Sequence, residues 1–256
     1  EARLVPIVEP EVIMDGAHSV ERCFEVTERT LHYVFNALSD VGVALDGDAD
    51  RVIMADSAGR LYDGDQLLYV MAKDRARQGP IAGVVGTVMS NFGLERALQR
   101  DKIPFARAKV GDRYVLELLQ EKGWLLGGES SGHLLALDKH TTGDAIISAL
   151  QVLAAMRGQD ASLDQLASGV TLYPQKLINV EADRSVNWLD NALVKQACRD
   201  AEAQVGGRGG VLLRPSGTEQ VLRVMVEGDD AAEVGKLARS IADEIESVVT
   251  TKARVA

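Results

Sequence analysis

Apolar positions along the chain fall into short runs separated by helical-period stretches, the alternation expected of an α/β protein. Leu4-Val-Pro-Ile-Val8 reads as a short strand. After the capping residue Ser19, Cys23, Val26, Thr30, Val34 and Leu38 recur at helical spacing, so residues 1–40 read as one strand-helix unit. Val41-Gly-Val-Ala-Leu45 reads as a buried strand, and residues 51–55 as a second extended run toward Ser57-Ala-Gly59. Asp63-Gly-Asp65 opens a helix with Leu67, Leu68 and Met71 inward that ends before Gly79; here capping is the expected role of Asp63 and Asp65. A second α/β unit follows: a strand over 82–86, a helix over 91–99, a strand over 105–110 and a helix over 112–121 stopped by Gly123. Trp124-Leu-Leu126 leads into a glycine-rich loop. Thr141-Thr-Gly-Asp144 then caps a long helix over 145–156, and a short one covers 163–167. From Thr171 the order becomes β-α-β-β-α: a strand over 172–180, a helix over 188–203, two strands around a turn within 211–226, and a final helix from 230 to about 249. That order predicts a separate small α+β domain.

The 256 residues, 46% of them hydrophobic, are enough for one to three domains with real cores. A net charge of -10 with no Lys/Arg run argues against nucleic acid as a partner and requires a local basic pocket for any anionic substrate. Cys23 and Cys198 have neither metal nor redox spacing, which fits reduced thiols and a cytoplasmic location. No signal peptide and no apolar run of about 18 residues is present, so no membrane association is expected.

Chemistry concentrates first at Asp46-Gly-Asp-Ala-Asp-Arg51, where three carboxylates emerge one residue apart as a strand ends. Carboxylates this close repel one another unless a cation sits among them, and hard oxygen ligands suit Mg²⁺ or Ca²⁺. A solvated acidic turn is the competing reading. An EF-hand is excluded, because Arg51 and Ser57 stand where that loop needs Gly and Glu. Arg51 beside a metal is what phosphate handling calls for. Further on, Lys109-Val-Gly-Asp112-Arg113 sets cations beside a helix N-terminus, suited to phosphate or sugar oxygens, with an exposed strand end bearing solvated charges as the competing reading. In Gly128-Glu-Ser-Ser-Gly-His133, an extended loop would present Glu129, Ser131 and His133 to one ligand, with a structural histidine as the alternative. Arg214-Pro-Ser-Gly-Thr-Glu219, with Arg223 four residues on, makes either an anion cradle or an ordinary hairpin turn.

In this order the four motifs resemble those of the α-D-phosphohexomutases, from Val41 to the carboxyl terminus. The resemblance implies Mg²⁺ held by Asp46, Asp48 and Asp50, with Arg51 on the phosphoryl group, and a phosphorylated hexosamine as substrate. Lys109, Glu129, Ser131 and His133 would surround the sugar, His133 moving protons with Lys109 or Asp112 assisting. Arg214, Ser216, Gly217, Thr218 and Arg223 would hold the phosphate that is not transferred. Ala49 stands where the family commonly has glycine, and Gln220 where it has proline.

Family members begin with a domain whose Thr-Ala-Ser-His-Asn-Pro type loop carries the phosphoserine, and these 256 residues contain no such loop, so the chain alone is expected to be inactive. Residues 1–40 instead resemble a βα segment of class I fructose-bisphosphate aldolase, with Glu9 and Glu11 at the positions of acid/base glutamates. The strand that would bear that family's Schiff-base lysine runs into Asp46, so aldolase activity is not expected. The fold class expected is α/β: a truncated metal-binding domain over 1–79, completed by the aldolase-like unit, a sugar-binding domain over 80–170, and a small phosphate-binding α+β domain over 171–256. A non-catalytic phosphosugar-binding fragment or a structural chimera is the alternative, and a homodimer the oligomeric state considered.

Overall fold

A computed structural model describes residues 41–182, 188–216 and 220–253. The strand-helix unit expected over 1–40, with Glu9 and Glu11, lies outside the described residues, as do Gly217 and Thr218 of the expected phosphate loop. The chain divides into two compact units, one drawing on residues up to Val85 and on Gly111–Gly169, the other on Gly86–Val110 and the residues from Val170 onward.

The first unit opens with an antiparallel sheet of β1 (Val41–Leu45), β2 (Val52–Asp56) and β3 (Leu61–Tyr62), in the order β1-β2-β3. Register pairs Val43 with Met54 and Leu45 with Val52. Successive side chains of a strand point to opposite faces, so Val52 and Met54 enter the core while Ile53 stays 39% exposed. The sequence reading of β1 as a buried strand is corrected here. Its burial fades toward Leu45, which is 42% exposed, because an antiparallel ladder can leave one face in water.

Helix α1 (Gly64–Gln78) begins with a capping box: Asp63 accepts the Gln66 N–H, and Gln66 accepts the Asp63 N–H. Leu67, Leu68 and Met71 are buried, as the pattern predicts. Strand β4 (Val84–Thr87) straddles the two units; its Val84 and Val85 pair in parallel with β6 (Leu126–Gly128), which pairs antiparallel with β7 (Leu134–Ala136). Between them in sequence lies α3 (Asp112–Lys122), closed by Gly123 in the left-handed region (φ 64°). Helices α4 (Ala145–Gln159) and α5 (Leu163–Ala167) complete the unit.

The second unit takes the end of β4, α2 (Phe92–Arg100) and β5 (Phe105–Ala108). Its antiparallel sheet has the order β8 (Gln175–Glu181), β10 (Val221–Glu227), β9 (Gly210–Pro215). Helices α6 (Ala192–Val205) and α7 (Ala231–Ala253) cover that sheet, and Trp188, Val194, Val224, Leu237, Ile241 and Ile245 form its core. In the same unit the buried Glu227 accepts the Phe92 N–H at the start of α2 (3.1 Å) and the Gln175 amide (2.8 Å), so its charge is compensated. Asn91 and Tyr173 exchange two further hydrogen bonds. This is the α/β organisation the sequence pattern predicts, ending in a small α+β module. No helix among the described residues is long and apolar enough to cross a membrane.

Candidate functional site

Asp46, Asp48 and Asp50 stand on the β1–β2 turn, each with a carboxylate oxygen within 4.8 Å of the other two. The turn closes on itself: Asp46 Oδ1 accepts the N–H groups of Asp50 (3.2 Å) and Arg51 (3.1 Å), and Ala49 N–H donates to Asp46 O (3.1 Å). Ala49 reaches this shape with φ 55°, a conformation that suits glycine better. Arg51 Nε lies 3.8 Å from both Asp46 Oδ2 and Asp50 Oδ1, and its side chain is 55% exposed. Partial desolvation opposes ionisation of Asp46, but the Arg51 and Asp50 N–H groups and the Arg51 charge hold its carboxyl below the ordinary aspartate value. Asp50 Oδ1 is buried and accepts no hydrogen bond among the described residues. Three convergent carboxylates, one of which has an oxygen left without a donor, fit a divalent cation.

A turn over 129–133 is built against this hairpin. Gly132 N–H donates to Glu129 O and Glu129 N–H to His133 O, both at 3.0 Å. Val52 N–H donates to Gly132 O (3.1 Å), and Arg51 and His133 form an antiparallel bridge. The loop is therefore folded, not extended as the sequence reading supposed. Glycine at 132 (φ 96°) makes the fold possible, and Glu129, Ser131 and His133 differ in exposure. Ser131 is exposed, Glu129 Oε1 accepts the Gly111 N–H ahead of α3 (2.9 Å), and His133 is buried with Nδ1 3.0 Å from Asp50 Oδ2. Arg113 is paired with Glu117 at 2.7 Å.

Sequence reasoning missed the supports of this site. Gly64 N–H donates to Ser130 O (3.0 Å), and a Cβ on Gly64 would overlap the Glu129 carbonyl oxygen. Gly143 abuts the His133 ring, and Ala145 N–H donates to Ala49 O (3.0 Å). Gly64 follows the cap Asp63 and Gly143 precedes the cap Asp144, so capping accounted for both stretches and hid their close approach to the loop.

In the second unit, Lys109 is exposed just past β5. Arg107, which the sequence did not single out, donates to Thr87 O (3.1 Å) and Ser90 O (2.7 Å) and pairs with Glu95, bracing the turn after β4. Arg214 and Arg223 are direct register partners across β9 and β10. Ser216 is buried, with its N–H on Val221 O (2.9 Å). Arginines at one register position of a ladder suit an anion.

Residues 63–173 match the family model described as phosphoglucomutase/phosphomannomutase, alpha/beta/alpha domain III, and residues 177–244 match the C-terminal domain of the same family. Over these residues the chain belongs to the phosphohexomutase family. The phosphoglucosamine mutase of Dechloromonas aromatica (strain RCB) is 60% identical over 204 residues, 80% of this chain and 45% of the relative. That of Azoarcus sp. (strain BH72) is 57% identical over 211 residues, 82% of this chain and 47% of the relative. The chain thus spans about half the length of the curated relatives it matches. Among solved structures, Aspergillus fumigatus N-acetylphosphoglucosamine mutase in complex with GlcNAc-6P and magnesium shares the phosphohexomutase fold, with TM-score 0.70 and 22% identity over 80% of this chain and 52% of that one.

Residues 1–62 match class-I fructose-bisphosphate aldolase, a match that runs beyond residue 40 through β3. Yet β1, β2 and β3 are joined antiparallel, whereas a βα barrel is built from parallel strands. From Val41 onward the geometry is not that of a barrel.

Proposed function

We propose that these residues are the metal-, sugar- and phosphate-binding part of a phosphoglucosamine mutase, the isomerase that interconverts glucosamine 6-phosphate and glucosamine 1-phosphate. The observation that carries the reading is the convergence of three carboxylates within 4.8 Å, with Arg51 at their rim. Asp46, Asp48 and Asp50 would hold Mg²⁺, which when bound offsets the charge on the oxygens of a transferring phosphoryl group. Arg51, exposed and held near Asp46 and Asp50, can turn its guanidinium to those same oxygens.

Glu129, fixed through Oε1 by the Gly111 N–H, keeps its other oxygen for a sugar hydroxyl, and exposed Ser131 offers a second hydrogen bond. In the second unit Arg214, Arg223 and Ser216, with Gly217 and Thr218, would take a phosphate group, and Lys109 a sugar or phosphate oxygen. The division into 1–79, 80–170 and 171–256, the cytoplasmic setting and the homodimer belong to the same proposal. The phosphoserine expected of the family is not among these 256 residues, so this chain by itself binds the phosphosugar without turning it over.

Calorimetry with glucosamine 6-phosphate, beside a coupled mutase assay supplied with the sugar 1,6-bisphosphate, tests both parts. Binding without turnover is expected. No binding would sink the assignment, and turnover at a full mutase rate would sink the claim that these 256 residues alone bind without turnover.

A further inference from the structure

Register sorts the side chains of the β1-β2-β3 sheet onto two faces. Val43, Met54 and Tyr62 stand in one row and Leu45 with Val52 in the next. Val52, Met54 and Tyr62 are buried there, and α1 and α4 are the helices that pack on these strands. The opposite face carries Gly42, Ala55 and Leu61 in one row and Ala44 with Ile53 in the next. None of these five residues is polar, yet Ala44, Ile53 and Leu61 are exposed, Leu61 by 66%. An antiparallel sheet with one face in water alternates apolar with polar residues. This sheet is apolar on both faces, the pattern of one that is covered on both.

We propose that residues 19–38 of this chain, which lie outside the described residues, cover that open face as an amphipathic helix. Cys23, Val26, Thr30, Val34 and Leu38 fall on one side at helical spacing, and Glu21, Glu25, Glu28 and His32 fall on the other. Only Ser39 and Asp40 separate this stretch from Val41, where β1 begins. A helix-to-strand link this short folds the helix back over the sheet that its strand joins. One face of that sheet is already taken by α1 and α4, so the apolar outer face is the one left. A helix of this length spans ~30 Å, enough to cross strands of five residues that extend ~17 Å. The inference rests on strand register and chain continuity, not on the mutase reading.

The test uses a thiol that the chain already carries on the apolar side of that stretch. Cys23 and Cys198 are its two cysteines, so in Cys198→Ser the Cys23 thiol reports alone. The full chain with that change is labelled with N-ethylmaleimide, natively and in urea, over a range of protein concentrations. Native labelling should be at least ~10-fold slower than labelling of the unfolded chain, the protection given by an element that opens rarely. Ile53→Asp and Leu61→Asp each put a charge under the covering segment and should return the rate to within ~3-fold of the unfolded one. Ser57→Asp, the same charge on the exposed turn after β2, should leave the rate unchanged. Circular dichroism melting checks that each variant folds. Labelling of the native thiol as fast as in urea would overturn the proposal. Protection that both face variants leave intact would also overturn it, since the segment would then pack elsewhere. Protection that rises with protein concentration would assign the face to a second copy of the chain and overturn it as well. If Ile53→Asp does not fold, Leu61→Asp, at the more exposed position, decides.

Discussion

Replacing Gly64 with alanine puts a methyl group where the first residue of α1 meets the 129–132 turn. The new Cβ would overlap Glu129 O and lie 2.7 Å from Gly132 N and 2.9 Å from Gly132 Cα, all backbone atoms. That backbone cannot swing aside as a side chain would, because Gly132 is held at φ 96° with its carbonyl on the Val52 N–H. Either the helix start or the loop must move. Overpacking of this kind costs about 1–3 kcal/mol, and losing the Gly64–Ser130 hydrogen bond adds about 1 kcal/mol. The intrinsic gain of alanine over glycine in a helix returns up to about 1 kcal/mol, leaving a net loss of about 1–3 kcal/mol. Gly158, exposed in α4 with nothing near its Cβ position, is the internal control: Gly158→Ala should gain close to 1 kcal/mol. Urea unfolding followed by far-UV circular dichroism measures both. A Gly64→Ala protein as stable as wild type, or as stable as Gly158→Ala, would refute the claim that the loop is built on the start of α1.

Three further outcomes follow from the same geometry. Ala49→Gly should raise stability by about 0.5 kcal/mol, since left-handed backbone costs alanine slightly more than glycine loses in chain entropy; a lower melting temperature would contradict this. Glu227→Ala should cost about 2–4 kcal/mol in denaturant unfolding, because the Phe92 N–H and the Gln175 amide lose a buried charged acceptor, and a loss under about 1 kcal/mol would show that water replaces it. The Arg60 N–H chiefly, then the Tyr62 hydroxyl and the Ala58 N–H, outweigh desolvation and hold the Asp56 carboxyl below the ordinary value of 3.8. Its folded value being the lower one, the stability it gives is complete above 3.8 and is lost as pH falls through the folded value, so Asp56→Asn should lose less melting temperature over that acid range than wild type.

The sequence was most legible where one residue type has one use. Gly123 stops α3 in the left-handed region, and Asp63 and Asp144 cap α1 and α4. Strand β3 escaped notice because two residues are too short to show a period, and Leu134-Leu135 after His133 hinted at β7 only as an alternative. Within the site, the acidic turn announced itself by composition, but the folding of the 129–133 loop did not. Whether alternate residues share a face depends on the backbone being extended, and Gly132 decides that through a dihedral angle that the pattern of side chains does not encode. Gly64 and Gly143 were invisible for a related reason: what they do is permit an approach by residues more than 60 positions away in one case and ten in the other.

Where the site does show itself is where local physics works against the fold. Three carboxylates within 4.8 Å and an alanine in glycine's conformation at φ 55° leave the β1–β2 turn less stable than plain alternatives would. The acids are offset only in part, by Arg51 Nε at 3.8 Å from Asp46 and Asp50 and by His133 on Asp50. A divalent cation among them would remove the rest of that cost. The stabilisation it gives should appear with Mg²⁺ alone: millimolar Mg²⁺ should raise the melting temperature of wild type and leave that of Asp50→Asn nearly unchanged. Equal shifts in the two proteins would mean that the acidic turn does not hold the ion.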